Sequence, residues 1–98
     1  MSKVIFINPF EVPTGQEDDY LFYLEQGYKH RKKQPGFISA RLHRALSPNS
    51  RFKFISVAEW QSAEHLQKAL NSEEFKTLVS PKVKALPHYP GIYKVIET

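Results

Sequence analysis

The chain has 98 residues, 41% of them hydrophobic, with seven Phe and five Tyr; this content fits one globular domain over residues 1–98 and excludes an intrinsically disordered segment. It has no cysteine, which excludes a disulfide framework, a thiol nucleophile and a Cys-based metal site. The net charge of +4 admits an anionic partner, but much of the excess lies in "YKHRKK", Tyr28 to Lys33, at the end of a predicted helix. Cations there complement the negative end of the helix dipole, so a solvated helix end is the preferred reading over a nucleic-acid patch.

Residues 3–12, "KVIFINPFEV", alternate and are rich in Val, Ile and Phe, which predicts a first strand. The opening run is too short for a signal-peptide core, and nothing reaches membrane-spanning length. A cytoplasmic protein with no membrane partner is therefore expected. "PTG" breaks the strand, Thr14 is a candidate cap, and Glu17, Asp18 and Asp19 open a helix at its positive end. Tyr20, Leu24 and Tyr28 recur at helical spacing and carry the helix to about Lys33. "GFISARLHRAL", residues 36–46, predicts a second strand. "SPNS" is turn chemistry, and "RFKFISVAEW", residues 51–60, predicts a third strand in an antiparallel hairpin. Ser62 caps a helix whose stripe is Ala63, Leu66 and Leu70. Ser72 restarts a helical piece with Phe75, Leu78 and Val79 inward. Pro81, Pro87 and Pro90 punctuate the rest, and residues 91–97 form a last strand. The order β-α-β-β-α-β is the ferredoxin-like split arrangement of an α+β protein.

Side chains alternate across a strand, so a hairpin closed at residues 47–50 assigns faces. Leu46 pairs with Arg51, and counting back pairs His43 with Phe54, Arg41 with Ser56 and Phe37 with Trp60. One face then carries Phe37, Arg41, His43, Phe54, Ser56 and Trp60, and it joins Phe6, Asn8 and Phe10 of the first strand. The other face carries Ile5, Ile7, Ile38, Ala40, Leu42, Ile55 and Val57. One helix layer covers one face of such a sheet, and a second subunit is the economical cover for the other, which predicts a homodimer. Aromatic walls with a few convergent polar groups have the composition of a small-molecule pocket. An ordinary core, with Trp60 as filler, accounts for the same residues.

The four histidines make no metal-ligand spacing, and there is neither a phosphate loop nor a nucleophile elbow. Glu73 and Glu74 suit a helix start better than an acid–base pair. RNA-recognition modules share the strand order and place aromatics on strands one and three. "RFKFISV", however, lacks the Gly or Ala that their third strand needs, so no nucleic-acid partner is expected.

Together, "FINPFEV", "QPGFISARLHRAL", "FISVAEWQSAEHLQKALNSEEF" and "HYPGIYKVIE" resemble the antibiotic-biosynthesis monooxygenase family over nearly the whole chain. "PGF" and "EW-x-S-x-E" are the most specific pieces. The resemblance implies a dimeric α+β barrel with a pocket between each subunit's sheet and helices. It also implies cofactor-free oxidation of an electron-rich aromatic, an anthrone or quinol, by O2, with no haem, flavin or metal. Asn8 and Trp60 match the family's pocket Asn and Trp. Ser56 stands where some such enzymes have a second Asn. Val79 falls where the haem-degrading branch has its iron-ligating His, so haem binding is not implied. With the residues that the face count places beside them, the expected catalytic residues are Asn8, His43 and Trp60 and the expected substrate contacts are Arg41, Ser56, Phe6, Phe54 and Tyr20. A non-catalytic dimer that binds or shields a small aromatic molecule is the alternative.

Overall fold

The computed structural model describes residues 3–72 and 81–96. Strand β1 (Val4–Phe10) leads to helix α1 (Glu17–Arg31), then to β2 (Phe37–Arg44) and β3 (Phe54–Trp60). Helix α2 (Ala63–Leu70), a short helix α3 (Pro81–Ala85) and β4 (Gly91–Tyr93) follow. The sheet is antiparallel throughout, in the order β2-β3-β1-β4. This is the ferredoxin-like α+β arrangement expected from the element order.

The central pair sets the two faces. Phe6 lies opposite Ala58, Asn8 opposite Ser56 and Phe10 opposite Phe54, while Ile5, Ile7, Ile55 and Val57 project from the reverse side. The first set turns to the helices and is buried apart from half-buried Ser56; the second is half-buried. The helix side packs as two clusters. Phe6, Ala58, Trp60, Leu66 and Ala69 fill the space beneath α2. Phe10, Val12, Leu24, Phe54 and Leu86 fill the space beneath α1 and α3.

The hairpin register departs from the sequence count by one. Arg44 lies opposite Phe54, Leu42 opposite Ser56 and Ala40 opposite Ala58, whereas His43 faces Ile55 and Arg41 faces Val57. The strands stop short of the turn at both ends. "SPNS" does turn, with Ser50 N–H donating to the Ser47 carbonyl at 3.2 Å. The ladder, however, closes farther back, where Ala45 N–H donates to the Lys53 carbonyl at 2.9 Å. That leaves residues 46–52 as an asymmetric connection. An irregularity between Phe37 and Ser39 returns the lost residue, so Phe37 still meets Trp60 as expected. Between the two points, side chains that a symmetric turn would send to the helices go to the outer face, and the reverse. Ala40 and Leu42 therefore join the helix side, and Arg41 and His43 leave it.

Other boundaries differ for local reasons. Thr14 does not cap α1; the cap position is Gln16, without a side-chain bond, after Gly15 at φ +90°. Ser62 does cap α2, its Oγ accepting from His65 N–H at 3.2 Å. Pro81, read as punctuation, opens α3 from a first-turn position where its missing N–H costs no helix bond. Strand β4 ends at Tyr93, short of the predicted residue 97, and pairs with β1 from Ile5 to Ile7. The helical piece predicted from Ser72, with Phe75, Leu78 and Val79, lies outside the described residues, as do Glu73 and Glu74.

The "PGF" step joins the hairpin to α2. Gly36 has φ +87°, and a Cβ there would overlap the His65 ring. Its carbonyl accepts from Gln61 N–H at 2.8 Å. Gly15 has the same left-handed backbone but open space around it. Gly15→Ala is therefore expected to cost about 1–2 kcal/mol from backbone strain alone. Gly36→Ala should cost clearly more, about 3 kcal/mol once the overlap is added. Urea unfolding of the two variants side by side checks the difference.

Candidate functional site

Two cavities of about 280 Å³ each lie between the sheet and α1. They share Phe10, Leu24 and Arg31 as a common partition. The first is walled by Tyr28, Phe37, Ala40, Leu42, Ser56 and Ala58 and opens at the β2 edge. The second is walled by Phe6, Asn8, Tyr23, Leu70, Lys84 and His88 and opens beside β4. Asn8 and Ser56 are cross-strand neighbours, so the two chambers meet over the β1–β3 pair.

Asn8 is 8% exposed, on the buried face of β1 between Phe6 and Phe10. Its Oδ1 and the Trp60 Nε1 are fully buried with no hydrogen-bond partner among the described residues. Most buried polar atoms in folded proteins are bonded, and each exception costs about 1–3 kcal/mol. Two such atoms on the floor of the layer that holds the cavities mark a place where packing alone does not explain the residue types. Trp60 nevertheless has 0% exposure. Phe37 stands edge-on against its ring at 5.4 Å and 89°, and Leu66 and Ala69 close the rest. Trp60 thus lines the back of the first cavity with no surface open to bulk solvent.

The remaining expected residues separate. Phe6 and Asn8 line the second cavity and Ser56 the first. Phe54, at 1% exposure, and Tyr20 belong to the cluster around Phe10 and Leu24 and line neither. His43 is the clear correction. The hairpin register puts it on the outer face, where its Nδ1 lies 3.2 Å from the Ile55 carbonyl oxygen. Arg41 starts from the same outer face and meets the first cavity as part of the β2 edge. The expectation that His43 converges with Asn8 is therefore wrong, because it carried a symmetric hairpin count past an asymmetric loop; Arg41 changes face by the same slip but still lines the first cavity.

Arg31 is the cation common to both cavities. It leaves the last turn of α1 inward, Nε donating to the Gly27 carbonyl at 3.4 Å, and borders both cavities. Desolvation by the surrounding apolar side chains lowers its pKa from the ordinary guanidinium value. The charge run "YKHRKK" reads as solvent-facing, but Leu24 and Arg31 are seven residues apart on a 3.6-residue helix and share its inner stripe. That spacing was the available signal. Among the described residues, no group of three His, Asp or Glu side chains is arranged to hold a metal ion. Val79, the position compared with a haem ligand, lies outside the described residues.

The sheet order, the helices on one face and the cavities between them define a ferredoxin-like domain with internal cavities. The sequence pattern of the antibiotic biosynthesis monooxygenase family matches residues 3–80, and the chain belongs to that family. A protein of Shewanella loihica PV-4, provisionally described as a monooxygenase, is similar in structure, with a TM-score of 0.86. It is 29% identical, over 99% of this chain and 97% of its own. SnoaB, a cofactor-independent oxygenase from Streptomyces nogalater, has the same fold at a TM-score of 0.85. There 100% of this chain and 97% of the other are covered at 21% identity. No curated protein sequence matches the chain. No helix among the described residues is long and apolar enough to cross a membrane.

Trp60→Ala should cost about 3–5 kcal/mol by opening a cavity in the cluster under α2. Trp60→Phe should keep most of that stability, because the bulk matters and the indole N–H has no partner to lose. Thermal unfolding of the two variants tests whether bulk is what the position requires.

Proposed function

We propose that the chain is a cofactor-independent monooxygenase that oxidises a small, electron-rich aromatic of the anthrone or quinol type with O2. The observation that carries this reading is the largely apolar double cavity, with the Arg31 side chain at its partition and the buried Asn8 amide on its floor. Family membership and the description of SnoaB as a cofactor-independent oxygenase support it.

The chemistry asks little of the protein. An anthrone or quinol loses a proton and becomes an anion with a high-lying electron pair. The anion gives one electron to O2, the two radicals combine to a peroxide anion, this takes back the proton first removed to become a hydroperoxide, and loss of water leaves a carbonyl. For an anthrone, the methylene carbon becomes the second quinone carbonyl; one oxygen atom is retained and the other leaves as water. The protein must favour the anion and keep it dry. Arg31, at the partition of the two cavities, brings positive charge to the place where the anion would form. The Asn8 amide N–H is the hydrogen-bond donor in our assignment, and Ser56, Phe6 and Phe10 shape the floor. Trp60 supports that floor from behind.

The active species in this reading is a homodimer formed through the outer sheet face, where Ile5, Ile7, Ile55 and Val57 lie half-buried. Val57→Lys, at the centre of that face, should give a monomer in sedimentation velocity at micromolar concentration. A dimer that survives the charge would place the interface elsewhere.

Oxygen uptake with an anthrone, in buffer without flavin, metal or haem, is the direct test. Asn8→Leu replaces a poorly bonded amide by an apolar side chain of similar size. It should leave unfolding stability within about 1 kcal/mol of the starting protein. Activity should nevertheless fall by about 10²–10³, the scale of one lost oxyanion donor. Binding of the aromatic without oxygen uptake would instead support a non-catalytic binding protein.

A further inference from the structure

A proton must leave the substrate in this reading, and His43, the base expected from the sequence, points away. The geometry points to His88 as the proton acceptor, its Nε2 taking the enol or phenol proton of an aromatic held against Asn8 and Arg31. This rests on the cavity being the substrate site proposed above.

Of the four histidines, His88 alone lines either cavity. His43 is on the outer face. His65 is tied by Nδ1 to Ser62 Oγ at 2.7 Å, at the start of α2. His30 is buried behind α1, with Nε2 3.4 Å from Ser72 Oγ. His88 lies in the approach to β4, bordering the second cavity with Asn8. Its ring stacks on Phe10 at 5.8 Å and 27°. Nδ1 lies 2.8 Å from the Leu86 carbonyl oxygen. A carbonyl only accepts, so Nδ1 carries the hydrogen and the neutral ring keeps its basic lone pair on Nε2. Fixing one imidazole nitrogen with a backbone bond is what holds the tautomer of a general base.

The backbone on both sides is pinned to β1. Glu11 N–H donates to the Pro87 carbonyl at 2.9 Å, and Tyr89 N–H donates to the Pro9 carbonyl at 3.1 Å. Beyond it, the Tyr89 hydroxyl donates to Glu11 Oε2 at 2.5 Å, and Arg51 Nη2 donates to that hydroxyl at 3.2 Å. The Tyr89 bond, with Arg51 assisting, holds the Glu11 carboxylate below the usual range. The loop that carries His88 is therefore positioned before any substrate binds.

The charged and titratable groups that face His88 across the cavity are Tyr23 and Arg31 from α1 and Lys84 from α3. On β1 the nearest such group is Glu11, which is engaged by Tyr89 and Arg51. The described lining of the cavity contains two cations and no carboxylate. In the transfer the substrate O–H bond breaks, its electron pair stays on oxygen and an N–H bond forms at Nε2. The new anion sits beside Arg31 and Lys84, where opposite charge stabilises it.

Two readouts separate this role from the oxygenase reading. The first uses 1,8-dihydroxyanthraquinone, a coloured phenol, bound to the intact protein. His88→Asn keeps a donor for the Leu86 carbonyl but removes the base. If His88 takes the proton, the bound dye ionises at least one pH unit higher in His88→Asn than in the parent protein. The second is turnover of 1,8-dihydroxyanthrone. There His88→Asn should lower kcat by about 10²-fold or more with little change in KM, and added imidazole should restore rate to His88→Ala. Equal dye ionisation in parent and His88→Asn would overturn the proposal even if oxygen is consumed. Shifted ionisation without oxygen uptake would sustain it and remove the oxygenase reading. Failure of the dye to bind would overturn both.

Discussion

The constraint on which the molecule depends is the alternation shared by β1 and β3. Once Phe6, Asn8 and Phe10 lie opposite Ala58, Ser56 and Phe54, every side chain of both strands is committed to one of two layers. A slip of one residue would move Trp60, Phe54 and Phe10 to the outside and put Ile5, Ile7 and Val57 against the helices. The aliphatic set fills less volume, so the helices could not close over it in the same way. The aromatic set fills the inner layer but does not tile it. Large rings meeting at right angles, as Phe37 and Trp60 do, leave the gaps that become the cavities.

That alternation is also why much of the fold was legible. "VIFINPF" and "FISVAEW" state their faces unambiguously, and both strands are central, so each is checked by a neighbour on either side. Strand β2 is an edge strand with one neighbour, and "ISARLHR" alternates in both phases. Leu42 or His43 could face inward as far as pattern goes. Its register was set by a loop and an irregularity that sequence does not announce, and Arg41 and His43 were misplaced together. Arg31 was hidden by its neighbours, since three solvent-seeking cations around it disguise one that is not. His88 was hidden by isolation, because its partners Phe10 and Leu86 are supplied by the fold and not by a motif. Asn8 was found because a polar residue in the middle of an apolar strand has few structural excuses.

A domain of this length keeps internal space at a cost in stability. Chains near 100 residues have a few kcal/mol of net stability to distribute, and unfilled volume and unbonded amides draw on it. The fold concentrates these costs in one layer and offsets them at its margins. Ser62 completes the first turn of α2, Gly36 permits a tight junction beneath it, and Arg44 reaches from β2 to Asp18 at 2.9 Å while covering Phe54. The site is thus framed by short, well-bonded connections, and the strand interiors are left to chemistry.

The irregularity after Phe37 has a consequence for how copies of this chain meet. A regular edge strand displays an unbroken row of free N–H and C=O groups that invites another strand and, with repetition, a fibre. Here the row along β2 is broken near Ile38, and Arg41 and Arg44 project from opposite sides of what remains. A growing ribbon would have to bury like charges and bridge a misaligned ladder. Lateral growth by backbone pairing is thereby discouraged, which favours the face-to-face, self-closing association of the homodimer proposed above.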